Sequence, residues 1–248
     1  MAKITGGRST YGEYIGIIMV EKKFPRIPGD IGNATTFNYP VKYDVIETPF
    51  SFNELRKKVI DCDPSLIEPF IKSAKIFEKA GIKAITTVCG YLIKFQKEIA
   101  AEVNIPVFTS SLLQIPLVYS ILGNKKRIGV ITSTQSYLTE DYFKSAGAGS
   151  IPIAITGMEN ESCWDFIREN KEEFDPEEVE NAIVRNSIAL LKQYPDIGAF
   201  VLECTNMPPY SAAIKRNTGL PVFDIITLTD FVYNSIICKE YKDECKSK

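Results

Sequence analysis

The chain matches itself. Residues 82–122 laid on residues 197–237 without a gap give ten identities in 41 positions, among them Cys89/Cys204, Ile99/Ile214 and Pro106-Val107-Phe108 against Pro221-Val222-Phe223. Ordinary composition yields roughly two or three identities by chance. The order of features repeats as well. Each half opens on an Ile-Gly strand (residues 15–18 and 128–131) and reaches an Asp-Pro pair (63–64 and 175–176). A strand ending in cysteine, a helix and Val-Phe then follow in both. Parallel α/β units resemble one another in any case, but this ordered succession reads as a duplicated unit.

The unit itself is α/β. Short Val- and Ile-rich runs predict buried strands at "YIGIIMV" (14–20), "AITTV" (84–88), "RIGVIT" (127–132), "IPIAI" (151–155), "AFVLE" (199–203) and "PVFDI" (221–225). Between them lie helices with clear starts: Asp63 and Asp175 are N-caps, each followed by proline, and Gly81 is a stop. The alternation predicts two pseudo-symmetric lobes, each a parallel sheet flanked by helices, with a cleft between them. Residues 1–112 and about 227–248 form the first lobe, and residues 113–226 the second. "FTSSLLQIP" and "FDIITLTDF" are the crossings, and the C-terminal helix, about 227–242, returns to the first lobe. The stretch "EKKFPRIPGDIGNATTF" is a long loop, read as a lid.

Composition narrows the chemistry. Histidine is absent, which removes Ser-His-Asp and Cys-His catalysis and His-metal sites. The formal net charge is −2, and "GNKKRIG" is a lone basic turn, so no nucleic-acid face is expected. No apolar stretch reaches the length of a membrane span. The opening "MAKITGGRSTYGEY" lacks a signal peptide's apolar core, so a cytoplasmic location is expected, with homodimerisation as the usual assembly. The six cysteines have no zinc-knuckle or redox-pair spacing. No metal and no cofactor is expected; "GAGS" follows a helix and is not a dinucleotide fingerprint. Cys62, Cys163, Cys238 and Cys245 read as small buried hydrophobes. The acidic "ENKEEFDPEEVE" reads as the solvated start of a helix.

Cys89 and Cys204 read differently, because the repeat matches them. Each falls at the carboxyl end of a strand just before a helix, where open α/β sheets bind ligands. Free N–H groups and the positive helix end there suit a substrate carboxylate and draw a thiol pKa from about 8.5 toward neutral. Two thiols flanking one cleft are suited to removing a proton from one face of a carbon and returning it to the other.

With "TTVCG", "LECTN" and "RIGVITSTQSY" in view, the chain resembles the aspartate/glutamate racemase superfamily over most of its length. Hydantoin racemases, maleate isomerases and arylmalonate decarboxylases belong to the same group. The resemblance implies two α/β lobes, no cofactor, a small carboxylate substrate, and Cys89 and Cys204 as the acid–base pair. It implies substrate contacts at Thr132, Thr134, Thr205 and Asn206. The implied activity is that of a racemase of an amino acid such as aspartate or glutamate, an isomerase of amino-acid metabolism. Alternatives are a decarboxylase or maleate-type cis–trans isomerase, and a non-catalytic two-lobed carboxylate-binding protein. Three departures stand out. Cys89-Gly90-Tyr91 replaces the Cys-Asn-Thr of acidic-amino-acid racemases, so Gly90 and Tyr91 are candidate substrate contacts, with packing as the alternative for Tyr91. Glu203 stands where glycine is frequent, and either raises a thiol pKa, serves as an extra base or turns away from the cleft. Arg26, in the long loop, is a candidate partner for a substrate carboxylate, or a solvated side chain.

Overall fold

The computed structural model describes residues 6–239. Strands β1 (Ile15–Val20), β2 (Val41–Ile46), β3 (Ala84–Thr87) and β4 (Val107–Phe108) form one parallel sheet in the order β2-β1-β3-β4. Strands β5 (Arg127–Thr132), β6 (Ile153–Gly157), β7 (Ile197–Leu202) and β8 (Val222–Phe223) form a second in the order β6-β5-β7-β8. The internal sequence match is this sheet built twice: Ile15 pairs with Ala84 as Ile128 pairs with Ala199, and Ile85 with Val107 as Phe200 with Val222.

Helices join the strands. In the first half these are α1 (Phe52–Ile60), α2 (Ile67–Ala80), α3 (Gln96–Ala101) and α4 (Ile115–Ile121). In the second they are α5 (Glu140–Ser145), α6 (Asp165–Glu169), α7 (Pro176–Gln193), α8 (Ser211–Thr218) and α9 (Ile225–Ile237). Asp175 caps α7 by accepting from the Glu177 and Glu178 N–H groups, with Pro176 in the first turn. Asp63 instead caps a 3-10 turn, Pro64–Leu66, that leads into α2, and α2 ends on the left-handed Gly81. After β3 a 3-10 turn at Gly90–Phe95 precedes α3. α9 begins at Ile225, and positions 240–242 of the expected C-terminal helix, like Cys245 and residues 1–5, lie outside the described residues.

After each Val-Phe strand the chain crosses over. α4 packs on β5, and Leu122 just beyond it lies close to Gly198 of β7. α9 places Ile225 and Leu228 in a cluster with Ile15, Ile17, Ala84, Val88 and Phe108 of the first half. One further cluster joins Ile18 and Ile85 of the first sheet to Ile128, Val130 and Val201 of the second. The loop between β1 and β2 crosses too. Its Phe24 is buried with Ile131, Trp164, Phe166 and Leu202 of the second half, a burial worth about 1.5–3 kcal/mol. Gly29, at φ +99, presses so closely on Pro209 that a Cβ would come within 2.8 Å of its Cα. The loop read as a lid is thus docked.

Cys238 departs from its expected burial. It is exposed at the carboxyl end of α9, at φ 44, beyond the helix face that meets the core. No helix among the described residues is long and apolar enough to cross a membrane.

Candidate active site

The two inner strands of each sheet aim their carboxyl ends at one cavity of about 110 Å³. Lys22 arrives two residues after β1, Cys89, Gly90 and Tyr91 after β3, Ser133 and Thr134 after β5, and Glu203 to Asn206 after β7. The cavity is thus shared by both lobes, as switch-point sites in parallel sheets are. Arg26 from the β1–β2 loop and Arg56 from α1 reach it as well, and Val20, Phe24, Phe52, Leu55 and Phe70 supply apolar wall.

Cys89 sits just ahead of the 3-10 turn Gly90–Phe95, and the N–H groups of Tyr91 and Leu92 pull its pKa down. That pull, expected to dominate, is outweighed: burial, and then the charge of Glu203, push the Cys89 thiol up to about 12. Cys204 is likewise pushed up, by burial first and Glu203 second. Both thiols therefore hold their protons. Cys204 donates to Asn206 Oδ1 at 3.6 Å. Asn206 is fixed in that orientation because its Nδ2 donates to Asp30 Oδ2 at 2.6 Å, while Asp30 Oδ1 accepts from Arg26 at 2.7 Å and from the Gly32 N–H. Arg26 thus lies in the cavity wall, ion-paired to Asp30, and is tied to the second thiol through two intervening side chains.

Glu203 is turned inward. It is 1% exposed and lines the cavity. Thr132 donates to its Oε2 at 2.7 Å, while its Oε1 has no hydrogen-bond partner among the described residues. Burial raises its pKa from 4.5 to about 7, the Thr132 hydrogen bond drawing it partly back. Gly90 makes room for it: a Cβ there would lie 2.2 Å from Oε1 and 2.3 Å from the Glu203 carbonyl oxygen. Two departures noted in the sequence, glycine after the first cysteine and glutamate before the second, are therefore one contact. Thr132 itself is fully buried, and beyond Glu203 it meets the Tyr91 hydroxyl at 3.1 Å. Since Thr132 spends its proton on Glu203, Tyr91 donates to Thr132. Thr205 Oγ1 donates to Val88 O at 2.6 Å, stitching the β7 end to the β3 end.

Lys22 and Arg56 were not singled out in the sequence. The position of Lys22 just past a strand with the Ile-Gly pattern was the available signal; Arg56 has none beyond its place on an amphipathic helix. Neither has an ion-pair partner among the described residues. Lys22 lies 4.1 Å from the Phe52 ring centroid, and burial lowers its pKa to about 8, against the pull of Cys89. Among the described residues no cluster of three or more cysteine, aspartate or glutamate side chains is arranged to hold a metal ion. What the arrangement can do is hold an anion by Lys22 and Arg56 beside two thiols able to exchange protons with it.

No protein-family model matches the chain. A dimethylsulfoniopropionate lyase of Durusdinium sp. clade D is 27% identical over 230 residues, spanning 90% of this chain and 75% of that protein. Dimethylsulfoniopropionate lyase 7 of Emiliania huxleyi is 30% identical over 223 residues, 86% of this chain, which spans 64% of the relative's length. Among solved structures, an arylmalonate decarboxylase superposes with TM-score 0.59 at 14% identity, covering 92% of this chain and 94% of that one. A glutamate racemase from Bacillus anthracis gives 0.57 at 16%, covering 91% and 81%.

These relatives correct the expected activity. The sequence relatives over most of the chain are lyases, so the reading as an amino-acid racemase, an isomerase of amino-acid metabolism, does not stand. The physical reason is that paired thiols specify removal of a proton beside a carboxylate and leave open what the resulting carbanion does next. Their surroundings also differ, since Glu203 of one half answers Val88 of the other. Two four-stranded parallel sheets of identical strand order, flanked by helices, give this chain the fold of the aspartate/glutamate racemases.

Proposed function

We propose that the chain is a lyase acting on dimethylsulfoniopropionate or a closely similar carboxylate carrying an onium group at its β-carbon. The observation that carries this reading is the sharing of one cavity by two thiols and two cations, Lys22 and Arg56, that have no ion-pair partner among the described residues, in a chain similar to lyases of that name. The substrate carboxylate sits against Lys22 and Arg56. A thiolate of the Cys89/Cys204 pair removes a proton from the α-carbon. The electrons of that C–H bond form the Cα=Cβ double bond, and the Cβ–S bond breaks toward sulfur. Dimethyl sulfide leaves neutral, acrylate remains, and the proton stays on the thiol until solvent takes it.

Resting thiols are poor bases, and the substrate itself alters that. A sulfonium cation within about 4–6 Å favours the ionised form of neighbouring acids. The thiols, raised by burial, are lowered when the substrate enters. The apolar wall excludes water and strengthens this field.

The test is dimethyl sulfide release from dimethylsulfoniopropionate by the purified protein, followed by headspace gas chromatography with acrylate measured in parallel. Equimolar products are expected. Cys89→Ser and Cys204→Ser should each lower kcat/KM, and the variant lacking the base by roughly 10²–10⁴-fold. No release by the wild-type chain at millimolar substrate, or full activity in both variants, would remove this reading.

A further inference from the structure

The geometry points to an onium-binding subsite formed by Glu203 with the rings of Tyr91 and Tyr137, which selects substrates that carry a fixed positive charge at the β-position. This deepens the lyase reading and rests on it for the choice of substrate. Three observations carry it. Glu203 is buried in the cavity wall with no hydrogen-bond partner for Oε1 among the described residues, a placement that costs free energy unless something positive comes to it. Oε2 already has Thr132, so the free oxygen is the one left for a ligand. Gly90 lets Oε1 lie against backbone, where a Cβ would come within 2.2 Å of it.

The tyrosines complete the argument. Tyr91 sends its hydroxyl away to Thr132 at 3.1 Å and is itself part of the cavity wall. Tyr137 meets it edge-on, ring centroids 6.5 Å apart at 68°, and lines the same cavity. A tertiary sulfonium or quaternary ammonium carries no N–H or O–H, so a protein recognises it by aromatic faces and negative charge rather than by hydrogen bonds. Lys22 and Arg56, the cavity cations that are not ion-paired among the described residues, suit only the other end of such a molecule. Cys89 senses both fields: Glu203 opposes its ionisation and Lys22 favours it. A zwitterion laid between them puts its α-carbon at the thiols.

Two ligands isolate the subsite: 3-(trimethylammonio)propanoate, titrated with its trimethylamine release monitored in parallel, and its neutral carbon isostere, 4,4-dimethylpentanoate. They share shape and carboxylate, and differ in one charge. By isothermal titration calorimetry the wild-type chain should prefer the cationic ligand by about tenfold or more. Glu203→Gln should erase most of that preference while binding the neutral isostere as the wild type does, which also reports an intact cavity. If Glu203→Gln does not fold, Tyr137→Leu takes its place and should weaken the cationic ligand selectively. Equal wild-type affinity for the two ligands, or a preference untouched in the variants, overturns the subsite. The two readings separate cleanly: dimethyl sulfide release without charge preference leaves the lyase and removes the subsite, and charge preference without release does the reverse.

Discussion

A buried carboxylate with a raised pKa is a liability that grows with pH. Glu203 in the fold binds its proton more tightly than in the unfolded chain, about 7 against 4.5. Between those values the folded state holds more protons, so stability falls as pH rises from about 4.5 through 7 and then levels off. Glu203→Gln removes the charge and keeps the shape. It should gain on the wild type as pH rises from 5 to 8, by on the order of 3 kcal/mol in urea unfolding. Parallel stabilities across that range would show that Glu203 is not the titrating group. Lys22 runs the other way: with its pKa near 8, it loses charge as pH rises through that value. Affinity for propanoate, which has nothing to eliminate, should fall above pH 8, and Lys22→Met should flatten that profile. Gly90→Ala drives a methyl group into the Glu203 carboxylate and backbone. A loss of about 1–3 kcal/mol in thermal unfolding is expected, together with loss of activity.

Elements were legible where the chain buries both faces. β7 is buried at all six positions and β3 at all four, and such continuous apolar runs announce themselves. β2 was missed. It is an edge strand, Val41–Ile46, mostly half-buried, with Lys42 and Asp44 breaking the apolar pattern. The placement of both cysteines at strand ends was legible because the repeat doubled the signal; that of Arg56 at the cavity was not, because nothing in the linear pattern ties a helical arginine to a cavity walled by the strand ends of both sheets. The helix that carries it depends on its start. Ser51 accepts from the Glu54 N–H while the Glu54 carboxylate takes the Ser51 N–H. Leu55, Arg56 and Val59 of α1 all line the cavity. Ser51→Ala should cost about 1 kcal/mol and raise KM, since the loss frays the turn that presents Arg56. An unchanged KM alongside the lost stability would show that α1 is held by packing alone.

At the scale of the molecule, two lobes were visible in the sequence as a repeat, and the depth of their fusion was not. Thr205 to Val88 and Ser111 Oγ to Leu202 O, the latter at 2.5 Å, bridge the halves at the site itself. Phe24 crosses into the second core, and one hydrophobic cluster runs through both sheets. Such sharing predicts one cooperative unfolding unit. Differential scanning calorimetry should give a single endotherm with equal calorimetric and van't Hoff enthalpies, and two resolved transitions would contradict it. The crossing of α4 and α9 carries a further consequence. Each half lends a helix to the other, so neither half has a complete core by its own residues. A half-length chain ending near residue 122 would expose the face of α4 that β5 now covers, together with the sheet surface that α9 protects. The arrangement is reciprocal, and two copies of one half could meet that need by trading helices across a twofold axis. The present chain reads as such a pair written into one polypeptide, and the join released each copy of the cavity wall to change alone: glutamate beside one thiol, valine beside the other.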